Sequence, residues 1–361
     1  MVILSTARSN TAENPREIFR NLLPKVEKNR GTYRALLSTL PAPLDTFAKD
    51  HFETRLQRVG EDALFGEWIP WIVAELLGVS PSERLEKVST GWLQLYFSVL
   101  LLDDIIDEGQ KGDLASNLIT GRLLQQRGIC QLLCNALNQV KLASVIQAAF
   151  DNTAKAATNE IIAHRGKVNR FDSFNLRFVG EKIAFVRICI EAVSQLADSD
   201  DLRREHLFSI FEDFAIALQL LDDLCDWQED ADILSMTFPL TVAAERAPSV
   251  LKIFKEDKSE EKWEVFLTLI QTGAIQETLQ TALTSLESAY SKLGEHDMGT
   301  NSRFARYVFS LILAGNRILG IIKTNEPLFI GVKPSEALKD EELRYTMKTI
   351  RRELTVVAQS S

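Results

Sequence analysis

The placement of proline constrains this chain more than any other feature. The ten prolines stand at 15, 24, 41, 43, 70, 81, 239, 248, 327 and 334, so none lies between 82 and 238. Proline inside a helix removes a hydrogen bond and costs about 3 kcal/mol. A gap that long permits long helices. Strand-like alternation bounded by turn residues is scarce everywhere, and the chain reads as all-α. Of its 361 residues 45% are hydrophobic and 25% charged, enough for a large core and too apolar for wholesale disorder.

One helix start is legible in Ser80-Pro81-Ser82-Glu83, with Ser80 read as the cap, Pro81 in the first turn and Glu83 three residues on. Apolar residues then recur at Leu85, Val88, Trp92, Leu95, Val99 and Leu102, and Gly109 is the expected stop. A second long helix is expected from Asp201 to Asp230, burying Leu207, Phe211, Phe214, Leu218, Leu221 and Cys225. Further helices are expected over 14–29, 41–58, 63–78, 113–127, 130–165, 175–197, 237–247, 260–292, 301–323 and 335–356, with loops at 166–172 and 325–334. No linker divides the chain. The expectation is one helical domain over 1–361, its core at about 63–323, with helices 14–58 and 335–356 packed on it.

Acidic residues exceed basic ones, 50 to 41, and no basic patch offers a nucleic-acid footprint. The four cysteines (130, 134, 189 and 225) do not complete a zinc pattern and read as reduced thiols of a cytoplasmic protein. The N-terminus does not read as a secretory signal. The most apolar run, Leu93 to Ile106, is too short and polar to span a bilayer, so no transmembrane segment is expected.

Two aspartate clusters carry the chemistry. Asp103-Asp104-Ile105-Ile106-Asp107 and Asp222-Asp223-Leu224-Cys225-Asp226 share one D-D-x-x-D pattern, 119 residues apart (222 − 103), each after an apolar helical run. Carboxylates oppose the negative end of a helix dipole. Like charges at i,i+4 cost about 0.2–0.5 kcal/mol each. A sequence that accepts this twice implies a compensating cation. Mg²⁺ suits carboxylate oxygens and retains coordination positions for phosphate. Two solvated acidic helix ends are the bland alternative. A di-metal bundle needs Glu-x-x-His on two helices, whereas Glu160 and His164 are four apart.

With these motifs in view, the chain resembles the class I isoprenoid enzymes, the all-α trans-prenyl diphosphate synthases and terpene synthases. The resemblance runs from about Trp71 to Asp230 through AELLG (74–78), LLDDIIDE (101–108), GEKIAF (180–185) and LQLLDDLCD (218–226). It implies a helical bundle around a central cavity. It implies Mg²⁺, three ions with bound diphosphate, on Asp103, Asp104, Asp107, Asp222, Asp223, Asp226 and Asp230. Lys182, Arg177 and Gln219 would bind the diphosphate of an allylic prenyl substrate of fifteen carbons or longer. Tyr96, Trp92 and Val99 would line the pocket, and a homodimer is one compatible assembly.

Departures from the elongating synthases bear on the reaction. The basic segment expected before AELLG is replaced by GEDALFGEWIPWIV, and Gln110-Lys111-Gly112 stands where paired arginines follow the first motif. No lysine follows the second motif within DWQEDADILSM. A second diphosphate would lack counter-charges. Arg306-Tyr307, 80 residues past Asp226, is similar to the Arg-Tyr pair of microbial terpene synthases. The expectation is therefore a terpene synthase, with catalytic Asp103, Asp107, Asp222 and Arg306 and with Tyr307 binding diphosphate. A trans-prenyltransferase, elongating or head-to-head, is the first alternative. An inactive partner subunit or lipid-binding protein is the other.

Overall fold

The computed structural model describes residues 15–59, 64–108, 113–164, 180–197, 201–233, 235–256, 262–295, 301–332 and 339–359. Among them are fifteen α-helices and no strand. These are α1 (Pro15–Phe19), α2 (Leu23–Leu37), α3 (Leu44–Val59), α4 (Phe65–Leu76), α5 (Glu83–Glu108), α6 (Leu114–Asn135), α7 (Gln139–His164) and α8 (Val186–Ser194). They continue with α9 (Asp201–Ile233), α10 (Phe238–Arg246), α11 (Val250–Glu256), α12 (Trp263–Gln271), α13 (Ala274–Glu295), α14 (Arg303–Phe329) and α15 (Glu341–Gln359).

The two long motif-bearing helices are α5 and α9, as the proline gap and apolar spacing predict. Local chemistry corrects several boundaries. The α5 cap is Ser82 rather than Ser80: its Oγ accepts from Leu85 N at 3.2 Å, leaving Pro81 outside the helix. The expected break between 127 and 130 is absent, and α6 continues to Asn135. A Cβ at Gly128 would sit 2.7 Å from Gly91 O, so glycine serves the close approach of α5 and α6, the most extensive helix pairing. The expected helix 260–292 is instead split at Gly273, whose φ of +72° ends α12 before α13 begins. Val250–Glu256 forms a helix that sequence reading missed, and Asn325–Phe329, read as loop, extends α14. The 166–172 loop and Gly109 lie outside the described residues.

One large apolar cluster runs from Ile18 to Leu354 and holds α4, α8, α9, α13 and α14 together. A second, around Tyr33, Phe52, Phe97 and Leu124, seats α2 and α3 on α5 and α6. Tyr96 touches both clusters. Helix α14 is long and apolar enough to cross a membrane by length and composition. It packs on α13, α15 and α1, and its exposed positions include Asn316, Arg317, Lys323, Thr324 and Glu326. That is the pattern of a helix packed inside a bundle.

Candidate active site

A cavity of about 240 Å³ lies between α4, α5, residues 183–186 and α9. Phe65, Tyr96, Phe185, Phe211 and Phe214 give it aromatic walls, and Gln219 and Asp222 are its polar lining. Asp222 lies eight residues after Phe214 on α9, about 12 Å along the axis at 1.5 Å per residue. The cavity therefore has an apolar end and a carboxylate end. Tyr96 lies flat against Gly66, where a Cβ would come within 2.3 Å of its ring. Trp92 stands behind it, fully buried, its Nε1 donating to Gly66 O at 2.7 Å and its ring stacked on Phe185. Of the expected pocket residues, Tyr96 and Gln219 line the cavity and Trp92 supports its wall. Val99 is half-buried against the core and is not among the lining residues.

The aspartates of α9 divide by environment. Asp222 and Asp226 reach the helix surface, the carboxyl of Asp226 partly shielded from water by its neighbours. Asp223 is buried, and its carboxylate accepts from Gln219 Nε2 at 3.0 Å and from Phe238 N at 3.4 Å, which ties α9 to the start of α10. Asp230 accepts from Thr237 Oγ1 at 3.0 Å. Burial, with the nearby Asp223 charge next in size, pushes the Asp230 carboxyl up to about 9. Burial and Glu229 raise Asp226, while Lys182 pulls both downward. Lys182, in the turns before α8, is thus a cation that Asp226 and Asp230 both sense.

The first motif occupies the last two turns of α5. The side chains of Asp103, Asp104 and Asp107 lie outside the described residues, as do Arg177 and Lys111. Among the described residues, no three His, Cys, Asp or Glu side chains gather closely enough to hold a metal.

Arg306 and Tyr307 sit in the first turns of α14, at the level of Phe214 rather than Asp222. Arg306 is exposed and does not line the cavity. Tyr307 is buried, its ring 5.8 Å from Phe65 and 5.9 Å from Phe214, so it packs behind the apolar end. Arg187 donates to Glu212 at 3.2 Å and lies over Phe208. Phe208 and Ala215 line a small neighbouring void. Sequence reading missed Phe65, Gly66 and Phe185 as lining. Phe185 closes the GEKIAF segment, which was read for its lysine, and no local motif marks Phe65 or Gly66; the approach of α4 and of the turns before α8 to α9 gives all three their role.

No protein-family profile matches the chain, and no curated protein matches it. Solved structures do. A polyprenyl synthase from Caulobacter crescentus, complexed with calcium and isoprenyl diphosphate, matches with a TM-score of 0.68 and 17% identity over 84% of this chain and 98% of its own. The heptaprenyl diphosphate synthase of Staphylococcus aureus matches with a TM-score of 0.61 and 15% identity over 87% and 98%. A geranylgeranyl pyrophosphate synthase from Lactobacillus brevis gives 0.66 and 15% over 82% and 98%. At such identities the likeness is one of architecture, and the chain has the all-α class I isoprenoid synthase fold that these prenyl synthases share.

Proposed function

We propose that this protein is an enzyme that ionises an allylic prenyl diphosphate with the help of Mg²⁺. The observation that carries this reading is an aromatic-walled cavity with a carboxylate at one end. The donor set fits a hard divalent cation. Asp222, Asp226 and Asp230 offer only oxygen, and Asp226 and Asp230 are raised chiefly by burial, with like charge from Glu229 and Asp223 next, so a bound cation would favour their ionised forms. Asp103, Asp104 and Asp107 on α5 would complete the set, and Asp223 would hold α9 against α10. Bound there, Mg²⁺ supplies the positive charge that offsets the departing diphosphate. Lys182 adds a cation beside Asp226 and Asp230. Gln219 donates toward Asp223 and fixes the carboxylate end, while the aromatic walls take the isoprenoid chain and exclude water. Aromatic faces also attract carbocations by about 0.5–2 kcal/mol.

Prenyl transfer is the finer reading that the structural relatives support, because those reported are prenyl synthases. This reverses the order drawn from sequence. The lyase reading keeps two supports: no Lys or Arg lines the cavity among the described residues, and the basic segments for a second diphosphate are missing from the sequence. Incubation with Mg²⁺ and allylic diphosphates, with and without isopentenyl diphosphate, separates the two. Longer diphosphates formed only with the co-substrate mean transfer. Hydrocarbon or alcohol formed without it means a lyase. No turnover of any allylic diphosphate removes the enzymatic reading.

A further inference from the structure

We propose that Arg351 and Lys262 are positioning residues that hold the aspartate face of α9 in register from behind. The proposal rests on the reading of that face as the metal site. Gln228 and Asp232 lie six residues beyond Asp222 and Asp226, about 240° around the helix, on the side turned away from the expected ligands. Both are gripped by distant parts of the chain. The Arg351 guanidinium of α15 sits between two indoles, 5.6 Å from the Trp227 ring and 5.5 Å from the Trp263 ring, and donates to Gln228 Oε1. Lys262 Nζ lies 2.8 Å from Asp232 Oδ1.

Two features set this arrangement apart from ordinary packing. Lys262 is almost fully buried, an environment in which an ammonium needs a partner. Its φ is +45°, a left-handed conformation seldom adopted by residues with a side chain and found where the surroundings over-determine it. Trp227 is buried and stacked on Phe266, so the Arg351 grip reaches a rigid part of α9. Cys225 Sγ also donates to Leu354 O at 3.4 Å, a second tie to α15. The end of α9 that bears the aspartates is thus fixed by α12 and α15, while its carboxylates repel one another on the other side.

The test uses the full chain and a probe that needs no turnover. Thermal unfolding is followed with inorganic diphosphate while Mg²⁺ is titrated, and the Mg²⁺ concentration giving half the rise in Tm is recorded. Arg351→Ala is expected to raise that concentration about tenfold, as loss of ligand support does at metal sites. Arg351→Lys should recover part of the loss, because it keeps the charge over the rings without the planar fork. Gln228→Ala removes only the acceptor on α9 and should shift the half-point the same way by about threefold. A lower Tm with an unchanged half-point in both Arg351→Ala and Gln228→Ala would make the contacts structural only and overturn the proposal. If Arg351→Ala does not fold, Gln228→Ala decides alone. Absence of any rise in the wild-type protein overturns the metal-site reading itself, and the positioning proposal with it.

Discussion

Under the proposed reading Asp222 is the residue on which the chemistry would turn, because it joins the cavity to the carboxylate face of α9. Asp222→Asn keeps size and polarity but removes the charge a cation needs. Turnover is expected to fall about 100-fold or more, with Tm without metal unchanged or slightly raised as repulsion from Asp226 is relieved. Steady-state kinetics beside a melting curve checks both halves, and near-normal turnover would take Asp222 out of the mechanism. Gly66 makes a different demand. A methyl group there overlaps the Tyr96 ring, so Gly66→Ala should push the ring into the cavity. The expected result is a higher KM for allylic substrate and a stability loss of about 1–3 kcal/mol, and unchanged values of both would contradict it. The aspartates were legible in sequence because their repetition violates local helix physics. Gly66 was not, since its constraint comes from a ring thirty residues away (96 − 66). Arg306-Tyr307 was legible as a motif, yet its spacing said nothing about depth. Phe19, Phe65 and Phe214 enclose the Tyr307 ring at the apolar end of the site.

Among the elements, α5 and α6 show how one residue type can mislead. Glycine is the commonest helix terminator, yet Gly128, which falls in the gap expected between 127 and 130, terminates nothing. In the structure Gly128 faces Gly91 O at 2.7 Å and Leu95 N at 3.0 Å from where its Cβ would be. These are backbone atoms that cannot rotate away. Gly128→Ala should therefore part the two helices and lower stability by about 1–3 kcal/mol, read as a lower urea midpoint. Gly31→Ala, with nothing within 4 Å of its Cβ, serves as the control and should be neutral or stabilising. If both glycines behave alike, the seam has no special tightness. Long helices, their apolar stripes and the proline-free stretch 82–238 were readable because they depend on local spacing. The Gly273 break and the Ser82 cap were not, because one is decided by a single φ and the other by a single hydrogen bond.

For the whole molecule, protons and metal should compete. The Asp226 and Asp230 carboxyls are held above their ordinary range by burial, Asp230 up to about 9. A carboxyl with a raised folded pKa favours the fold in its protonated form. That contribution is complete below the unfolded value of about 4 and is lost as pH rises towards about 9. Without metal, stability should decline between those limits, while Mg²⁺ with inorganic diphosphate should raise Tm more at pH 8 than at pH 6, since ligation displaces protons. A stabilisation that is equal at both pH values would contradict the assignment. The order of the chain adds a consequence of the α15 contacts that concerns synthesis. Leu354 and Cys225 are 129 residues apart in sequence. At about 5–20 residues per second, that stretch takes roughly 6–26 s to translate. Throughout that interval α9 exists with its crowded carboxylates while the arginine that straddles Trp227 and Trp263 has yet to be made. A nascent chain stalled before α15 would expose both indoles to chaperones, and the carboxylate face would reach its final register only as the last helix docks.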